Sequence, residues 1–152
     1  LDSTKSIFEP GEYEVNNIPI QSHAVKLNAE NVDESTNIYS VISEGMTICY
    51  LNEISKISIP ANVTESIGKI DILVCISNDS SDQSVESINS LLSSIDPKVL
   101  LIAEKGSNEE TTEIYSKLIK GLGQNSEDPS INANVTKSGI GDSLKVVNLK
   151  KS

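Results

Sequence analysis

Ile70-Asp-Ile-Leu-Val-Cys-Ile76 is a nearly continuous apolar run, and it constrains the fold more than any other segment. A strand with one wet face alternates apolar and polar residues. A run that does not alternate reads as a strand buried on both faces, the usual state of strands in α/β sheets. Val99-Leu-Leu-Ile102 is a second buried strand. Between the two, Val85, Ile88, Leu91, Leu92 and Ile95 recur at helical spacing. They predict an amphipathic helix with Ser84 as its N-cap, stopped by Asp96-Pro97. Helix crossovers between apolar strands imply right-handed βαβ packing.

The flanks extend this pattern. Residues 12–20 have strand character around a turn at Asn16-Asn17, and a polar loop over 28–35 follows. Residues 37–43 alternate at period two, Glu44-Gly45 makes a turn, and 46–51 return as the partner strand of a hairpin. A short helix is predicted over 60–67, with Pro60 in its first turn and Gly68 at its end. An amphipathic helix is predicted over 108–120, ended by Gly121 and Gly123. Two terminal strands are expected near 131–137 and 144–149, with a turn at Gly139-Ile-Gly141 between them. The fold class is therefore α/β: hairpins, then strand–helix–strand–helix, then a terminal β pair. The 152 residues suit one domain.

Composition narrows the function. With no Trp, one Phe and four Tyr, the core must be aliphatic. The net charge is −10 and no Arg occurs. Nucleic acid and anionic membranes need Lys and Arg to neutralise phosphates, so neither is an expected partner. Without Arg there is no bidentate phosphate or carboxylate clamp. No apolar run reaches the length of a membrane-spanning helix, and no secretory signal is visible. The expected location is cytoplasmic, and the sequons at Asn62, Asn78 and Asn134 carry little weight. Met46 is the one methionine, so a chain starting at Leu1 is expected to be processed, trimmed or part of something longer. Cys49 and Cys75 sit in apolar surroundings and read as buried free thiols. His23 has no nucleophile at recognisable spacing and reads as a loop or strand residue. No phosphate-binding loop or dinucleotide fingerprint is present. The Ser/Asn/Asp segment 77–83 follows a buried strand, where ligands bind in open α/β sheets, although a plain surface loop explains it as well.

Four segments in fixed order carry a resemblance. They are Pro10-Gly-Glu-Tyr-Glu-Val15, Asn37-Ile-Tyr-Ser-Val with Glu44-Gly-Met-Thr-Ile-Cys-Tyr-Leu51, Ile67-Gly-Lys-Ile-Asp-Ile-Leu-Val74, and Ile95-Asp-Pro-Lys-Val-Leu-Leu101. With the tail, Lys137-Ser138 and Lys145-Val-Val-Asn-Leu149, they resemble the metallo-β-lactamase superfamily, in its branch of small bacterial Zn-dependent hydrolases similar to ascorbate-6-phosphate lactonases. The resemblance implies a partial or trimmed αββα sandwich over 1–152, lacking the N-terminal half that carries the family's His-X-His-X-Asp-His motif.

The resemblance also implies where metal ligands would lie, and the residues there differ. Where the family has Cys-His-Leu-Gly-Asp, this chain has Cys49-Tyr50-Leu51-Asn52-Glu53, so Tyr50 replaces His and Glu53 replaces Asp. Where the family has Met-His, it has Ala103-Glu104. Another family His falls near Leu27, and a Gly-Gly pair becomes Asn78-Asp79. Catalytic zinc wants three protein ligands, mostly imidazole or thiolate, plus a water whose pKa it lowers. A phenol and two carboxylates do not form that set, although such oxygens could hold Mg²⁺ or Ca²⁺. Tyr50, Glu53 and Glu104 then read as vestigial ligand positions, with no catalytic, cofactor-binding or metal residue expected.

Two functions remain open. One is a degenerate, non-catalytic protein acting as a structural or interaction subunit, a homo-oligomer or the partner of a missing N-terminal segment, since half a sandwich exposes a sheet face. The other is part of a metal-dependent hydrolase, with zinc or another divalent ion held by a motif upstream of this chain.

Overall fold

The computed structural model describes residues 6–26, 35–52, 59–77, 82–104, 116–123 and 130–149. Seven strands form one sheet in the order of the chain: β1 (Gly11–Val15), β2 (Ile18–Lys26), β3 (Ser35–Ser43), β4 (Met46–Leu51), β5 (Ile72–Ser77), β6 (Val99–Glu104) and β7 (Lys145–Leu149). β1 to β4 are antiparallel, and β4 to β7 are parallel. The change of direction follows from the connections. Asn16 and Asn17 have φ of 51° and 64°, and Glu44 and Gly45 have 51° and 72°. Two-residue turns with both φ positive match strand twist and close tight hairpins. The later strands instead return through helices: α1 (Ala61–Ile67), α2 (Asp82–Ile95) and α3, helical over 116–121.

The three described α-helices lie on one face of the sheet. Val63 of α1, Ile88 and Leu91 of α2 and Leu118 and Ile119 of α3 share a core with Ile38, Cys49, Leu51, Leu73, Cys75, Leu100 and Ile102. Strand residues alternate between faces, so the residues between these point the other way. Across the ladder the other face reads Ser22, Tyr39, Tyr50, Val74, Leu101, Val147 in one row and Ile20, Val41, Ile48, Ile72, Val99, Lys145 in the next. Val135 and Ile140 pack against Met46, Ile72 and Val99 at its lower margin. At the opposite margin an N-terminal strap is held by side chains of the sheet. The Asn37 amide donates to the Phe8 carbonyl at 2.6 Å and the Tyr39 hydroxyl to the Ile7 carbonyl at 2.9 Å. Between these shoulders Ile20, Val41, Ile48, Val74 and Leu101 are only half-buried.

Several expectations shift. The α/β class holds, with one helix layer on a mixed sheet. Residues 131–136 are not a strand; a single bridge, Ser130 to Leu149, stands there before a 3-10 turn at Lys137–Gly139. The apolar alternation of that segment packs Val135 onto the sheet face, while β7 takes the edge of β6. α2 begins at Asp82, so Ser84 lies inside the helix and not at its cap. β2 runs on to Lys26, because pairing with β3 carries it past the polar Gln21, Ser22 and His23. Gly123, with φ of 70°, ends α3, whereas Gly121 is still helical. A Cβ at Gly121 would stand 2.8 Å from Val85 Cγ1, so that glycine permits close approach of α3 to α2. The loop at 28–34 and the start of the predicted helix at 108–115 lie outside the described residues. No described helix is long and apolar enough to cross a membrane.

Candidate functional site

β4, β5 and β6 are parallel, so their C-terminal ends lie at one edge of the sheet. That edge is where a chain of this class presents loops to a ligand. The described position of the expected set there is Tyr50. Its ring packs at 6.3 Å and 37° to that of Tyr39, and its hydroxyl lies 3.5 Å from Asn52 Oδ1. Glu104 closes β6 opposite Ser77 of β5, which puts its backbone at the same edge; its side chain lies outside what is described. Glu53, Leu27, Asn78 and Asp79 also lie outside the described residues.

The softer donors point elsewhere. Cys49 precedes Tyr50 and therefore projects into the opposite, helix-covered face, where Cys75 joins it in the core. Burial pushes both thiols up to about 12, so neither offers a thiolate near neutral pH. A thiol reagent such as dithiobis-nitrobenzoate should leave both cysteines unmodified in the native protein and titrate two after unfolding. Fast native labelling would place one of them at an accessible surface.

His23 sits on β2, on the helix side of the sheet, opposite Ile38. It lines a shallow cleft with Pro10, Gly11, Glu12, Gln21, Ser22 and Ser66. Its Nε2 is buried without a hydrogen-bond partner among the described residues, and so is the Ser22 hydroxyl. β2 is two strands from β4, about 10 Å at ordinary strand spacing, and Tyr50 is on the other face. The sheet therefore separates Tyr50 from His23 and Cys49, and His23 lies two strands from Cys49 on their shared face. Among the described residues, no three of His, Cys, Asp and Glu come together. Zinc needs three convergent ligands, and the described donors diverge across both faces, so they do not fit it.

A different polar group stands out at the other end of the strands. Asp71 interrupts the apolar run and is 5% exposed. Its carboxylate accepts from the Thr47 N–H at 3.0 Å and from Lys137 Nζ at 3.0 Å on both oxygens. Its carbonyl accepts from the N–H groups of Lys98 and Val99, and its own N–H donates to the Thr47 carbonyl. Burial alone would raise the carboxyl, but the Thr47 N–H, Lys137 and Lys69 outweigh it and hold it below the usual carboxylate range. This cluster joins the starts of β4, β5 and β6 to the C-terminal segment and is structural. A lone acid inside a buried-strand run was its visible signal.

No family profile matches the chain, and no curated protein sequence does either. Its backbone is nevertheless similar to a solved structure from Thermotoga maritima, a candidate Zn-dependent hydrolase of the metallo-β-lactamase superfamily. The TM-score is 0.65, and the match covers 95% of this chain and 71% of that one. The chain has a metallo-β-lactamase fold. Identity is 17%, so the likeness carries the architecture and not the activity. Within a metallo-β-lactamase fold, the edge bearing Tyr50 and the end of β6 is the one the sequence resemblance marked as the ligand edge.

Proposed function

We propose that this chain is a degenerate metallo-β-lactamase-fold protein, without hydrolytic chemistry of its own, that serves as a structural or interaction subunit. The observation that carries this reading is the end of β4. Where the resemblance expects an imidazole there is Tyr50, set beside Asn52 and stacked near Tyr39, while the adjacent Cys49 turns into the opposite face. Tyr50, Glu53 and Glu104 are then vestigial positions, and the subunit needs no metal or other cofactor. The half-buried apolar face of the sheet supports an assembly role, and the net charge of −10 argues against nucleic acid and anionic membrane. The reading places the protein in the cytoplasm.

A second reading is favoured by the similarity to a candidate Zn-dependent hydrolase: this chain is part of a metal-dependent hydrolase. Calorimetric zinc titration of the full-length protein, with any segment upstream of Leu1 included, separates the two. The proposal expects no saturable site, whereas one tight site per chain would favour the hydrolase.

A further inference from the structure

We propose that the cleft beside His23 binds a small primary amine, its ammonium group held between the His23 imidazole and the Glu12 carboxylate. Such a site is independent of the interaction-subunit reading, because the cleft lies on the helix side of the sheet, the face opposite Tyr50. Strand register builds it. β1 begins at Gly11, opposite Ser22, whereas β2 runs on to Lys26, so the sheet edge steps in beside His23. Pro10 lines the step, and Ser66 lines it from α1. The space is about 350 Å³, at the small end for a ligand site, with room for roughly ten water-sized groups. Glu12 and Gln21 are cross-strand partners, and His23 follows Gln21 by two residues, so all three leave the sheet on the same side. Glu12 and His23 are diagonal neighbours, ~7–8 Å apart at the backbone, a gap that one polar group bonded to both side chains can span.

His23 Nε2 is buried and has no hydrogen-bond partner among the described residues. Buried nitrogens in that state are rare, and they carry a desolvation penalty that a bound partner removes. Charge selects the partner. Among the described residues, the one charged group lining the cleft is the Glu12 carboxylate. Glu14 follows on the same face of β1 and Glu65 precedes Ser66 on α1; both are exposed, and neither element carries a Lys. Lys26 ends β2 on the other face, and Lys69 acts on Asp71. Anions are therefore disfavoured. The ligand group that satisfies a carboxylate and an imidazole nitrogen together is a cationic donor. An ammonium carries three N–H groups, enough for Glu12, His23 Nε2 and the Ser66 hydroxyl.

The chain has a single His, so its imidazole resonances report on this cleft alone. Nuclear magnetic resonance of the full 152-residue chain at neutral pH would follow them during titration with putrescine, and with butanediol as the uncharged match. Putrescine should shift them saturably, with a dissociation constant of about 1 mM, as suits an open cleft of this size. Butanediol should leave them in place. Glu12→Gln should weaken putrescine about three- to tenfold, through loss of one partly exposed charge-assisted hydrogen bond. Glu86→Gln, at an exposed acid on α2, should leave binding unchanged. His23→Phe should abolish the saturable heat in calorimetry while the backbone amide spectrum stays that of the folded chain. A shift that grows without saturating overturns the proposal, and so does equal weakening by Glu86→Gln and Glu12→Gln, since both mean diffuse attraction to an acidic protein. No shift at all, which leaves water as the partner of His23 Nε2, or an equal response to butanediol, overturns it too.

Discussion

Leu73→Ala is expected to lower the unfolding free energy by about 2–5 kcal/mol, and its neighbour Val74→Ala by less than about 1 kcal/mol. Leu73 is fully buried between the sheet and the helices. Removing its side chain loses the transfer energy of the deleted atoms and leaves a cavity that close-packed neighbours fill only in part. Val74 faces the other way and is incompletely buried beside Met46, Ile72 and Val99, so truncation loses a smaller burial and leaves a space that water reaches. Urea denaturation of both variants, at concentrations where the chain is monomeric and with the slopes compared, reads the difference directly. Equal, large losses would mean that the chain itself covers both faces.

Asp71→Ala should have the next largest effect, a loss of about 1–3 kcal/mol, because it strips partners from the half-buried Thr47 N–H and from Lys137. Lys137→Met should lose less than about 1 kcal/mol, since its side chain is 53% exposed and water replaces the lost charge pair. The pH dependence has a definite sign. The folded-state pKa of Asp71 is lowered, so its stabilisation is fully present above its unfolded value of about 3.9. It is lost as pH falls through the folded value. Asp71→Asn should therefore flatten the acid limb of the stability curve below about pH 4, with little change in shape at neutral pH. An unchanged acid limb would show that the carboxylate is not held in its charged form by these partners.

Much of the fold was legible because its signals are local. Asn16-Asn17 and Glu44-Gly45 announce tight turns, and the structure places hairpins at both. Pro60 and Gly68 bracket α1 as their backbone preferences require. What a run such as 70–76 could not show is which layers cover it. Leu73 and Cys75 are sealed by helices, while Val74 and Ile76 are half-buried, because cover comes from elements distant in sequence. The same limit explains residues 131–136, whose alternation fits either a strand or a segment laid across a sheet face. At the site, the replacement at Tyr50 was readable from the resemblance. Its separation from Cys49 and His23 by the sheet itself emerges from strand register, and so does the role of Asp71 as a clamp.

Turnover by zinc-loaded protein tests the central claim most directly. The purified full-length protein, with any segment upstream of Leu1 included, would be incubated with excess zinc, desalted and assayed against phosphodiester, lactone and thioester substrates alongside its measured zinc content. The account predicts no bound zinc after desalting and no hydrolysis above buffer. Stoichiometric zinc with hydrolysis that a chelator abolishes and added zinc restores would contradict it.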